Sequence, residues 1–158
     1  MNAQVKVSLL FIISILEILI KIPYLKKINQ QHLQEDIRSV LNLYSSGHSN
    51  EALEKLETLK NKYPNEPLIF NISGVYFKAI GQLDNAVKNF DIALDLKPNF
   101  IEVNYNLGLT YHQLGNTRAA LENYKKVVRS KPDFAEAHAN LGNVFQMLNQ
   151  KENAISSY

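Results

Sequence analysis

The sequence predicts an all-α fold, a solenoid of stacked helix–turn–helix units, on three observations. Pro64, Pro98 and Pro132 stand 34 residues apart, the length of one such unit. The same step superposes Ala52, Ala86, Ala120 and Ala154, then Gly47, Gly81, Gly115 and Asn149, and also Val40, Gly74, Gly108 and Gly142. Inside one unit, Val103, Leu107 and Tyr111 fall at i, i+4 and make a single apolar stripe on a helix.

The first element, residues 1–27, differs from the rest. Val7 to Ile22 is apolar except for Ser8, Ser14, Glu17 and Lys21, and the apolar residues fall all round a helix, which must therefore be buried. Val7–Leu25 approaches the roughly 20 residues that span a bilayer, with Lys26 and Lys27 beyond it, and is read as a membrane anchor. Glu17 and Lys21 oppose that reading, since an ionisable residue in mid-span costs about 3 kcal/mol, although at i, i+4 the two can pair. The alternatives are a helix packed on the first repeat, or a cleaved or non-native segment; a signal peptide is disfavoured because no small-x-small site follows.

Four repeat units come next. The unit over 33–66 keeps Leu43, Gly47, Ala52, Leu56, Leu59 and Pro64 but has Val40 where the others have glycine, so it is degenerate. The units over 67–100 and 101–134 are complete, and the one over 135–158 is incomplete. A glycine inside a helix costs about 1 kcal/mol against alanine. Its return at Gly74, Gly108 and Gly142 therefore predicts a close approach by a neighbouring helix, with Ala120 in the matching role on the second helix. Gly115-Asn116 ends a first helix through positive φ, Thr117 is expected to cap the second, and Lys131-Pro132 closes the unit. Because Tyr158 falls inside a second helix, fraying or self-association is expected from Asn149 onward.

These residues resemble the tetratricopeptide repeat (TPR). Its motif reads here as Leu107-Gly108, Tyr111, Gly115, Ala120, Tyr124, Val127 and Pro132. The unit before has Phe70, Ser73-Gly74, Phe77, Gly81, Ala86, Phe90, Ala93 and Pro98, and the unit after has Leu141-Gly142, Phe145, Asn149, Ala154 and Tyr158. The resemblance implies a right-handed solenoid whose first helices line a concave groove for a peptide. Carried over by the motif's offsets, the groove residues are Arg38, Leu41 and Tyr44; Asn71, Val75 and Lys78; Glu102, Tyr105, Asn106, Leu109 and His112; and Glu136, Asn140, Asn143 and Gln146.

Asparagine-Leu-Gly in phase is similar to the superhelical arm of O-GlcNAc transferase, where an asparagine ladder holds peptide backbone. Asn106 and Asn140 supply two rungs, and Ile72 interrupts a third. A primary amide offers two donors and an acceptor, which suits backbone recognition; the plainer reading is a solvated polar face. The carboxylate clamp of co-chaperone TPR domains would need cations where Glu136 and Asn140 stand, so a C-terminal carboxylate ligand is disfavoured.

No catalytic constellation accompanies the repeats. His32, His48, His112 and His138 have no metal-ligand spacing, the glycines occur singly, and cysteine is absent. The in-phase aromatics Phe77, Phe90, Tyr111, Tyr124 and Phe145 read as core. A net charge of +2 with interspersed signs forms no basic stripe for nucleic acid. The chain is therefore read as a non-enzymatic, cofactor-free scaffold that binds an extended peptide or partner helix of another protein. The alternatives are the substrate-recognition arm of a longer glycosyltransferase- or sulfotransferase-like enzyme, and a membrane-tethered assembly factor. Localisation is expected at a membrane through the N-terminal helix, otherwise in the cytoplasm.

Overall fold

The computed structural model describes Lys27 and residues 29–157, and every regular element among them is helical. Helix α1 covers residues 29–45. It is followed by α2 (Ser49–Lys62), α3 (Pro67–Ala79), α4 (Leu83–Leu96), α5 (Ile101–Gln113), α6 (Thr117–Ser130), α7 (Ala135–Met147) and α8 (Lys151–Ile155). The chain divides into two compact units, one ending at Ala52 and one beginning at Leu53. In the first, Val40 is buried and Gly47 takes a left-handed φ of 81° as the chain leaves α1.

The second unit is a TPR-type solenoid of helix pairs, α3 with α4, α5 with α6, and α7 with α8. Within each pair the turn has one geometry. Gly81 at φ 77° donates its N–H to Lys78 O, and the next N–H, of Gln82, reaches Phe77 O. Gly115 and Asn116 repeat this against His112 and Tyr111. Asn149, at φ 56°, repeats it against Gln146, with Gln150 reaching Phe145. These are Schellman turns, whose left-handed residue is glycine or, next best, asparagine, and this explains why Asn149 stands in phase with the glycines.

One capping expectation is corrected. Asn116 caps α6, its side chain accepting from Ala119 N at 3.1 Å, while Thr117 is already helical. The Schellman turn ends on Asn116, so that residue is the last of one motif and the N-cap of the next helix. At the far end of the first two pairs, Lys97 (φ −143°, ψ 86°) and Lys131 (φ −139°, ψ 84°) are forced out of helix by the prolines that follow.

The core lies between consecutive pairs. Phe70 of α3 and Ala86, Phe90 and Ala93 of α4 pack with Phe100, just before α5, and with Val103 and Leu107 of α5, and Ala120, Leu121 and Tyr124 of α6 pack with Leu141, Val144 and Phe145 of α7. Tyr111 packs against both groups. The helical glycines are explained by rings: a Cβ on Gly74 would lie under 3.0 Å from Phe90, and one on Gly108 under 3.0 Å from Tyr124. The close neighbour is thus the second helix of the same repeat, presenting an aromatic 16 residues on. For Gly142 that residue is Tyr158, outside the described residues.

The expected membrane anchor over Val7–Leu25 lies outside the described residues. Membrane localisation is corrected: among the described residues no helix is long and apolar enough to cross a membrane. Helices α2 to α7 run 13 or 14 residues, short of the roughly 20 a span requires, and alternate buried with exposed faces.

Candidate peptide-binding surface

The first helices α3, α5 and α7 form a row joined by side chains. Asn106 Nδ2 on α5 donates to Asn71 Oδ1 on α3 at 3.2 Å. One repeat on, Asn140 Nδ2 on α7 donates to the Tyr105 hydroxyl on α5 at 3.1 Å. His112 Nε2 lies 3.3 Å from Met147 Sδ. Each link spans 35 residues rather than the repeat length of 34. Asn106 and Asn140, in phase by sequence, therefore each reach back to the preceding helix, which holds the amide plane and leaves one N–H and the carbonyl oxygen of each.

Around these amides the exposure is graded. Asn71, Lys78, Tyr105, Asn106, Leu109 and Asn140 are half-buried, while Glu102, His112, Glu136, Asn143 and Gln146 are exposed. Val75, also exposed, adds an apolar patch beside Asn71 on α3. Burial lowers the Lys78 pKa from its ordinary value of 10.5, since its ammonium has lost part of its water. Arg38, with Leu41 and Tyr44, is exposed on α1 and belongs to the first compact unit.

Tyr105 anchors the row to the core. Its ring lies 4.8 Å from that of Phe134 and 6.1 Å from that of Tyr124, while its hydroxyl receives the Asn140 bond. The surface thus rests on a cluster of three tilted aromatic rings.

Sequence reasoning missed other polar positions. Asn104 is 6% exposed, and its Oδ1 is buried without a partner. The phenol oxygen of Tyr124 is likewise buried and unpartnered. The period gave no signal for Asn104, since the same register position carries Asp36, Phe70 and His138 in the other units. On the second helices, burial and then the nearby Asp95 carboxylate raise the Asp91 pKa above 3.8, opposed by Lys126. Burial, followed by the Asp91 charge, raises that of Tyr111.

Comparison with known proteins bears on the repeat and its fold. The TPR repeat family model matches residues 74–115 and 111–149, so the chain carries tetratricopeptide repeats. A crystal structure of MamA superposes with a TM-score of 0.72 at 22% identity, over 77% of this chain and 71% of that one. MamA from Desulfovibrio magneticus RS-1 superposes with a TM-score of 0.73 at 25% identity, over 78% of this chain and 70% of that one. No curated protein matches the chain.

Proposed function

We propose that these tetratricopeptide repeats form a non-catalytic interaction scaffold whose row of first helices holds an extended segment of a partner protein by its backbone. The observation that carries this reading is the pair of tethered amides, Asn106 on Asn71 and Asn140 on Tyr105. Each is fixed in orientation by one hydrogen bond and keeps a donor and an acceptor, the complement of a peptide unit. Amides held in place before binding lose less entropy when a ligand arrives. Leu109 and Val75 supply apolar contact beside them, and Lys78 is offset by Glu102 and Glu136, so the surface has no net positive charge.

The test begins with a photo-crosslinking residue placed at Gln146 of the full chain, to capture and identify the bound segment. Affinity for that segment is then measured with Asn106→Ala and Asn140→Ala. Each is expected to weaken binding by about 1 kcal/mol, with helicity retained and weak dependence on salt. Unchanged affinity in the double variant overturns the reading.

A further inference from the structure

Met147 is the last residue of α7 and is 54% exposed, so its thioether is not spent on the core. Its Sδ lies 3.3 Å from Nε2 of His112, also exposed, in the last turn of α5. With a proton on Nε2 the contact is a weak N–H···S hydrogen bond, since a thioether is a poor acceptor. With the proton on Nδ1, the nitrogen lone pair points at the sulfur instead. A metal ion about 2.0 Å from the nitrogen and about 2.3 Å from the sulfur, ordinary bond lengths for such donors, would subtend about 100° across that gap. The two atoms thus already stand at the separation of a chelate. Their surroundings suit a cation, for both residues lie in the last turns of their helices, where the helix dipole presents partial negative charge. Neither of these turns carries a lysine or an arginine. The donors also select the ion: a thioether is soft and uncharged, which favours copper(I), and imidazole suits copper as well. Cysteine is absent from the chain, so no thiolate competes. Among the described residues no three His, Asp or Glu side chains gather as a metal site, which leaves harder cations no better place.

We propose that His112 and Met147 bind a soft monovalent cation, copper(I), through imidazole Nε2 and thioether Sδ. The ring binds in its neutral form, with the remaining proton on Nδ1. No electron is exchanged, and the ion enters and leaves as copper(I). Two protein ligands leave it open to a third donor from solvent. Asn106 and Asn140 stand in the middle of α5 and α7, whereas this pair stands in the last turns of the same helices. The site therefore goes beyond the peptide reading, and neither depends on the other.

The experiment titrates the full, isotope-labelled chain, with no peptide present, with silver(I) nitrate in chloride-free buffer. Silver(I) is the redox-inert probe of the same charge and softness. The Met147 methyl and the His112 ring are followed by nuclear magnetic resonance, in which the methyl of Met1, the other methionine, is resolved separately. The Met147 and His112 signals are expected to move along one saturating curve with one ion bound between them. Met147→Leu and His112→Gln should each weaken silver binding at least about tenfold, the loss that even an outer partner of a metal ligand brings. Both positions are exposed, and Gln146 stands at the register of His112 in α7, so the variants keep the fold, which circular dichroism checks. Copper(I), kept reduced with ascorbate under argon, is expected to shift the same two residues, and zinc(II) to leave the Met147 methyl in place. Unchanged silver affinity in either variant, movement of Met147 without His112, or silver bound only at Met1 overturns the proposal. So does copper(I) that leaves both signals unmoved, or zinc(II) that moves the Met147 methyl as far as silver does.

Discussion

Phe90 in α4 and Tyr124 in α6 stand 34 residues apart in the same slot, each fully buried and each pressed on the glycine of its own first helix. The backbone around them is shared, yet the chemistry differs. Phe90 fills its slot with carbon alone, whereas Tyr124 carries a hydroxyl into the core with no partner, its phenol held neutral by burial and then by Tyr105. The charges differ as well: Asp91 and Asp95 on α4 occupy the register positions of Lys125 and Arg129 on α6. A repeat of this kind thus constrains shape at the glycine–ring contact and tolerates variation in polarity at the same place.

The contact itself is the largest expected effect. Gly74→Ala and Gly108→Ala should each lower stability by about 1–3 kcal/mol through overpacking. In an open helix the same change would stabilise by about 1 kcal/mol, so the sign alone tests the contact. Urea unfolding of the two variants measures it, and a midpoint above that of the parent in either repeat would show that its ring can withdraw.

Exchanging the rings sharpens the polar difference. Tyr124→Phe removes a buried hydroxyl without a partner and is expected to stabilise by about 1 kcal/mol, while Phe90→Tyr destabilises by a similar amount. Thermal unfolding of the pair should give shifts of opposite sign. A loss on Tyr124→Phe would mean that the hydroxyl finds a partner in solution.

The smallest effect is electrostatic. The folded chain holds the Asp91 proton more tightly than an unfolded chain at the ordinary 3.8, because of burial and then Asp95. Stability therefore falls as pH rises through the raised folded value, and the gain from protonation is complete below 3.8. Asp91→Lys, which gives α4 the residue of α6, should flatten this slope in unfolding measurements between acid and neutral pH. An unchanged slope would assign it to other carboxylates.

Most of the helical plan was legible because its determinants are local. A proline removes helix from the residue before it, and a left-handed turn selects Gly81, Gly115 or Asn149; both act within a few residues of sequence. The glycine–ring pairing was only half visible: spacing marked Gly74 and Gly108 as crowded, but not which neighbour crowds them. The surface was legible as a set of residues and not as a set of bonds. Asn106 and Asn140 were in phase, yet their partners Asn71 and Tyr105 depend on how far adjacent helices are offset, which a period of 34 does not contain. Thr117 was misassigned because one residue, Asn116, closes one motif and opens the next. The N-terminal reading came from the length and all-round apolarity of Val7–Leu25, which lies outside the described residues, and among the described residues no helix is long and apolar enough to span.

Tyr111, packed against both core groups, makes adjacent repeats depend on one another for their melting. In a linear array, stability is a sum of intrinsic terms and nearest-neighbour couplings. A side chain that belongs to two interfaces enters two couplings at once. Fraying that advances along the array therefore meets its steepest step at this residue, and the repeats on either side of it open together or stay closed together.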